Sequence, residues 1–381
     1  VSGTRKRGSR AAAKPAPKPA KSAEAAAAKP GAGTAVAEAR LPAPLPVAAM
    51  PVAGIPVPSM PVASISAAPG LAHLPLPLLV LPMGLGGAGL AWRQATESLG
   101  APALVGEGLL LLTALAWALL VGFQFLRGLR HPDAMLAEAR HPVRVAFAAG
   151  PTIGLMILST AAFPYSPTLG AALWCIAVPL HLVVAMLLLR RLLAGRGEAA
   201  MLAPPLLIPF VGSILAPAFG VRMGFVDASW MMFGVGLVMW LVLLPLLLNR
   251  LLVGPPLPGP MRPSLAIFLA PPAVGALALL ELTGGGGAQA HGVALALVGV
   301  ALLVAATLLS LAREFAATPF SLSWWGVTFP SAAFAVMLMS FGFHPLIGWL
   351  ALALNTALTT WVAWRTWRAA LAGIFLRPEA A

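Results

Sequence analysis

The stretch Ser264-Leu-Ala-Ile-Phe-Leu-Ala-Pro271-Pro-Ala-Val-Gly-Ala-Leu-Ala-Leu-Leu-Glu281-Leu-Thr283 decides the fold. It carries no base and a single acid near one end. Wound as a helix at 1.5 Å per residue, its twenty residues cross about 30 Å of hydrocarbon. A proline stands seven positions in. Inside a helix it removes one backbone donor and crowds the carbonyl four residues back, a cost of about 3 kcal/mol or more. Pro82, Pro151, Pro209 and Pro330 repeat the arrangement in alternate apolar stretches, each at a depth of roughly 12 Å. Broken backbone within a bilayer is tolerated where protein or a water-filled cavity covers the freed groups. The five prolines therefore predict five kinked helices around a common path.

Working outward, ten such stretches are expected, at 74–94, 102–128, 143–163, 167–191, 202–221, 227–250, 264–283, 290–312, 321–342 and 346–370. Arginine fixes their direction, because Lys and Arg are retained on the cytoplasmic side. Arg127, Arg130, Arg140 and Arg144 follow the second stretch, Arg190, Arg191 and Arg196 the fourth, Arg250 and Arg262 the sixth, and Arg313 the eighth. Arg365, Arg368 and Arg377 close the chain, whereas the opposite connections hold only Arg93 and Arg222. Both termini are thus expected in the cytoplasm. The fold class that follows is an all-α polytopic membrane protein, with ten transmembrane helices as five helical hairpins in a quasi-fivefold ring around a central pore.

Composition agrees. Of 381 residues 60% are hydrophobic and 9% charged, with a net charge of +13. All five lysines (Lys6, Lys14, Lys18, Lys21 and Lys29) lie in the first thirty residues. A basic tail beside an anionic membrane surface accounts for this better than nucleic acid does, since no basic stripe interleaved with exposed aromatics follows. The domain reading is a basic, then Pro/Ala-rich, cytoplasmic tail over 1–72, a channel domain over 73–372 and a short tail over 373–381. The low-complexity tail lacks the apolar side chains that offset ordering entropy and is expected to be disordered.

Candidate site residues come from the proline depth. Phe147, Phe210, Phe268 and Phe329 lie near the kinks; an aromatic edge is electropositive, so such rings suit an apolar plug that hosts anions weakly. Glu107 and Glu281 are the acids well inside the stretches, and intramembrane acids are functional candidates by default. A place at the outer interface, with Glu107 beside Arg93, competes with that role. His181 reads as a packing histidine. No HExxH, serine nucleophile motif or phosphate-binding Gly-rich loop appears, so neither an enzyme nor a resident cofactor or metal is expected. The lone Cys175 excludes an intrachain disulfide.

Five strings in order resemble the family of bacterial tellurite-resistance proteins, plant slow-type anion channels and fungal malate permeases. They are Leu81-Pro82-Met83-Gly84-Leu85 running to Ala91-Trp92, His141-Pro142-Val143-Arg144, Pro209-Phe210-Val211-Gly212, Leu269-Ala270-Pro271-Pro272-Ala273-Val274-Gly275, and Pro319-Phe320-Ser321 with Trp324 through Pro330. The resemblance covers most of residues 74–370. It implies pore walls made of the proline-kinked odd helices, a pore-blocking phenylalanine that matches Phe329, and association as a homotrimer. Where the family's first helix usually has Phe-Gly-Ile, this chain has Leu79-Val80-Leu81. Val80 replaces a glycine that would leave room for the ring to swing, so Leu79 and Val80 join the pore-lining candidates.

The expected function is passage of small inorganic or carboxylate anions through an inner-membrane pore gated by Phe329. Two alternatives stand beside it. One is a proton-coupled transporter of dicarboxylates or tellurium oxyanions with Glu107 or Glu281 carrying the proton. The other is a membrane scaffold whose basic tail recruits a partner.

Overall fold

The computed structural model describes residues 70–377, so the N-terminal tail read from sequence lies outside the described residues up to residue 69, and the C-terminal one from residue 378. Within them the long helical stretches are, in chain order, α1 (Leu76–Leu99), α2 (Ala103–Arg130), α3 (Arg144–Ala162), α4 (Pro167–Leu193), the shorter α5 (Pro204–Gly220), α6 (Val226–Val253), α7 (Gly259–Leu282), α8 (Ala288–Ser310), α9 (Leu322–Ser340) and α10 (Pro345–Leu371). Nine of these, all but α5, are long and apolar enough to cross a membrane. Over their most apolar windows α1, α3, α7 and α9 bury 61–72% of their residues, and the even-numbered stretches only 17–33%. The even stretches are apolar all round yet largely uncovered by protein, the signature of helices that face lipid. Each packs on the odd stretch before it. The odd stretches touch one another in the order α1, α3, α5, α7, α9, and α9 returns to α1.

The prolines act differently from the sequence expectation. Pro82, Pro151 and Pro271 do not interrupt α-helix; each is the second residue of an α-helical segment, Leu81–Leu99, Gly150–Ala162 or Ala270–Leu282, that continues a 3₁₀ segment. A donor missing there is one that a helix start leaves unpaired in any case. The carbonyl four residues earlier is also satisfied. Leu78, Phe147 and Ile267 accept instead from the N–H of Leu81, Gly150 and Ala270, the residue directly before each proline. The tighter i→i+3 winding of the 3₁₀ turn makes that bond possible. Most of the lost-hydrogen-bond cost is thereby removed at these three positions. Pro330 stands inside the α-helix Trp325–Ser340, as the sequence predicts.

α5 departs furthest from expectation. In place of one helix over 202–221 it is a chain of short pieces, with α-helix at Leu207–Val211 and Leu215–Gly220 and 3₁₀ turns at Pro204–Leu206 and Gly212–Ile214. Pro204, Pro205, Pro209 and Pro217 deny four donors within fourteen residues, too many for a continuous i→i+4 ladder. Its seventeen residues would rise about 26 Å as pure α-helix. The 3₁₀ turns, at about 2.0 Å per residue, lengthen that reach.

Glycine sets how closely α1 and α9 approach. A Cβ on Gly84 would lie 2.1 Å from Thr328 Oγ1, and one on Gly87 would lie 2.9 Å from Cδ2 of Phe329. Only absent side chains permit this contact, the device by which membrane helices bring backbones together.

Candidate functional site

Three cavities lie among the described residues near the proline-bearing segments. The central one, about 60 Å³, takes its lining from all five odd stretches: Val80 and Met83, Phe147 and Ile153, Leu207 and Val211, Pro271 and Val274, and Phe329 with Pro330. These side chains are apolar. A second cavity of about 150 Å³ carries the charges, with Arg93, Gln94 and Glu97 from α1, Arg222 from the turn after α5, Glu281 from α7 and Ser340 from α9. Leu215, Val274 and Phe329 border both. A third cavity, about 360 Å³, opens at the far side of the apolar one and shares Phe147 with it; His73, Arg144, Ser321, Ser323 and Arg377 line it.

Phe329 is 9% exposed and lies between tightly held neighbours. On one side is Gly87. On the other, Asn355 of α10, fully buried, donates from Nδ2 to the Thr328 carbonyl and to Ser331 Oγ, each at 2.9 Å. Trp325 Nε1 donates to Thr366 Oγ1 at 3.0 Å, fixing the start of the same helix to α10. α9 is thus clamped by hydrogen bonds from α10 immediately before and after the Phe329–Pro330 pair. Hydrogen bonds inside an apolar bundle define one arrangement, because a buried donor left unpaired is expensive.

The sequence candidates divide. The structure brings Val80, Phe147, Pro271, Phe329 and Pro330 together around the apolar cavity. Pro82, Pro151, Pro209, Leu79, Phe210 and Phe268 are not in its lining. Phe210 is buried at 2% exposure, Phe268 is half-buried, and the Leu79 carbonyl lies 2.6 Å from where a Gly150 Cβ would stand. Proximity in sequence to a proline does not decide which face of a helix a side chain occupies; that follows from the winding, which switches from 3₁₀ to α at this depth.

Glu107 sits beside Arg93, as the competing interface reading has it. Arg93 donates to both its carboxylate oxygens, from Nε at 2.8 Å and Nη2 at 2.7 Å, and Tyr165 Oη donates at 2.9 Å. Tyr165, in the turn after α3, has its phenol pKa raised chiefly by that hydrogen bond to Glu107. Glu281 is paired with Arg222, whose Nε lies 3.1 Å from both carboxylate oxygens. The carboxylate raises the already high guanidinium pKa. His181 is wholly buried, with Nδ1 2.8 Å from Thr152 Oγ1, where it packs α4 against α3.

One polar cluster escaped the sequence reading. Glu138, on the short helix Pro132–Arg140 between α2 and α3, accepts from Arg127 Nη1 at 2.7 Å, Arg144 Nη1 at 3.3 Å and the Leu76 backbone N–H at 3.0 Å. Arg127 Nε donates to the Ala72 carbonyl and Gln124 Nε2 to that of Leu74. The cluster pins the segment that leads into α1. Its only trace in sequence is an acid among arginines, which reads equally well as a solvated loop.

With this geometry in place, comparison with known proteins is decisive for the family. Residues 73–370 match the family model SLAC1, voltage-dependent anion channel. The chain belongs to this family. The S-type anion channels SLAH2 and SLAH3 of Arabidopsis thaliana are 28% and 24% identical to it over 210 and 276 residues, which are 53% and 70% of this chain. The tellurite resistance protein TehA homolog of Haemophilus influenzae is 25% identical over 214 residues, 56% of this chain and 65% of its own. The matched regions are only 39% and 43% of the two plant proteins. Family membership and the nine long apolar helices make this an integral membrane protein.

Proposed function

We propose that the chain conducts small anions through a path walled by the five odd stretches, arranged with their even partners as ten helices in five hairpins, and constricted by Phe329. The observation that carries this reading is that Phe329, with Leu215 and Val274, borders both the apolar and the charged cavity. An anion passing from one to the other displaces that ring. The apolar side offers no fixed cation, so selection works through dehydration: ions that shed water readily, halide or nitrate rather than sulfate, pass best. The arginine sorting supports an orientation with the proline side toward the cytoplasm and the charged cavity outside. Family membership and the names of the relatives support anions as the cargo.

The test is anion current through the purified protein in planar bilayers. Phe329→Ala is expected to raise conductance on the order of tenfold, equivalent to about 1.4 kcal/mol off the barrier. Unchanged or lower current from a correctly folded variant sinks the constriction.

The proton-coupled reading keeps one supporting observation, the Glu281 carboxylate in the charged cavity. Uphill anion uptake into liposomes driven by a pH gradient, abolished by Glu281→Gln, would establish it in place of the channel.

A further inference from the structure

The outward face of α10 carries two features that the path does not use. A groove of about 640 Å³ runs between α1 and α10, lined by Trp92, Trp349, Ala353, Ala357, Thr360 and Trp364 among others. Trp92 Nε1 donates to Thr356 Oγ1 at 3.0 Å, and that hydroxyl donates to the Leu352 carbonyl at 2.7 Å. These polar groups are satisfied within the wall, leaving a mainly apolar trough. Past its Trp361–Trp364 end lies a hollow of about 440 Å³ bounded by Phe320, Arg365, Arg368 and Ile374. The Arg365 guanidinium stands 5.2 Å from the Phe320 ring centre and 5.8 Å from that of Trp361. Trp361 packs edge-on against Phe320 and Trp324. Among the described residues no carboxylate forms an ion pair with Arg365 or Arg368.

Trough and hollow are continuous in register. Ala353, Ala357, Thr360, Trp364 and Arg368 follow at three- and four-residue steps, which is one stripe of a helix. From Ala353 to Arg368 the helix rises about 22 Å, against roughly 15 Å for the hydrocarbon of one leaflet. The stripe therefore spans one leaflet and its headgroup layer, with two cations at the headgroup end and tryptophans where indoles favour the interface.

We propose that this face binds an anionic phospholipid, its phosphate between Arg365 and Arg368 and an acyl chain in the trough beside Ala353 and Ala357. Charge selects this occupant. A second copy docking the same face about a twofold axis would set the arginine pairs against their own kind, and in the expected trimer, where the contact is heterologous, a facing copy would have to supply carboxylates to both arginines. A lipid phosphate supplies the missing counter-charge, and its chain covers the apolar trough.

Native mass spectrometry of the full chain, released from micelles holding equal phosphatidylglycerol and phosphatidylcholine, tests this. The wild type is expected to retain phosphatidylglycerol on the order of tenfold over phosphatidylcholine, since each arginine near an anionic headgroup adds roughly a factor of five. Arg365→Gln with Arg368→Gln, both on exposed positions, should bring the ratio near one. Ala353→Leu should lower retention of both lipids, and glycerol phosphate without acyl chains should not be retained. An unaltered ratio in the double glutamine variant overturns the proposal. So does copy-to-copy crosslinking through Thr360→Cys in bilayers with lipid retention unaffected by the glutamine changes, which would make this face an interface between copies.

Discussion

The cavities on either side of Phe329 are built from the same helices and have opposite chemistry. The apolar one, at the 3₁₀-to-α junctions, is lined by Val80, Phe147, Ile153 and Leu207 and holds no ionisable group. The other, a few turns along, holds Arg93, Glu97, Arg222 and Glu281. Arg93 and Arg222 are the two arginines that violate the charge sorting of the connections, and the structure places both in one cavity. Each is paired, Arg93 with Glu107 and Arg222 with Glu281. The difference teaches that apolar surface and charge are kept apart along the same helices; on the path proposed above, the apolar side sets a dehydration cost and the charged side the potential that an ion meets before reaching it.

Removing the boundary tests the contrast most severely. Phe329→Ala joins the two cavities, and the expected tenfold-order rise in bilayer current described above is the largest effect. Next comes the close approach of α1 to α9 one turn from the ring. Gly84→Val would drive a side chain into Thr328 Oγ1 and Trp325, overpacking worth about 1–3 kcal/mol or more. The expected outcome is a lowered thermal midpoint in detergent, read by scanning fluorimetry on the tryptophans; an unshifted midpoint would show that α9 can retreat from α1 freely.

A smaller effect is expected on the charged side. Glu281→Gln leaves Arg222 without its counter-charge in the cavity, so the local potential becomes more positive. Anion current should rise by roughly a factor of two at low ionic strength and approach wild type in molar salt, where the Debye length falls to about 3 Å. A rise that persists in high salt would mean that the substitution changed the constriction rather than the field. The smallest expected change is spectroscopic. Tyr165 is the single tyrosine of the chain, and its hydrogen bond to Glu107 raises its pKa above 10.0. Its absorbance titration should therefore have a midpoint above the ordinary phenol value, and Glu107→Gln should bring it down, because the neutral amide no longer disfavours the phenolate. A midpoint unmoved by that change would place Tyr165 away from the Arg93–Glu107 pair.

The apolar helices, the alternation of proline-bearing stretches and the interior place of those stretches were legible because they depend on local composition and spacing. Phe329 was reached through resemblance, and Val80 and Phe147 through resemblance and depth. Their relatives in the same lists, Leu79, Phe210 and Phe268, were indistinguishable by those criteria and lie outside the lining of the apolar cavity. Gly87, which seats the ring, was hidden in a run of four glycines whose separate faces appear only on folding. Asn355 and Glu138 were missed for a related reason: their partners lie 27 and 62 residues away at Thr328 and Leu76, and no local pattern announces such a bond.

The sequence by itself determined that this chain is a bundle of apolar helices, because twenty-residue apolar runs have no other way to satisfy their backbone in a bilayer. It determined as well that five prolines share one depth. Only the tertiary structure decided what that depth does. Donors and acceptors were rearranged by 3₁₀ turns, so that three of the prolines start α-helix rather than break it. The glycine contact and the Asn355 bonds then fixed α9 between its neighbours, with Phe329 at the boundary of two cavities. A proline's missing donor is written in the residue, whereas the carbonyl it orphans and the ring it positions find partners only when distant segments meet.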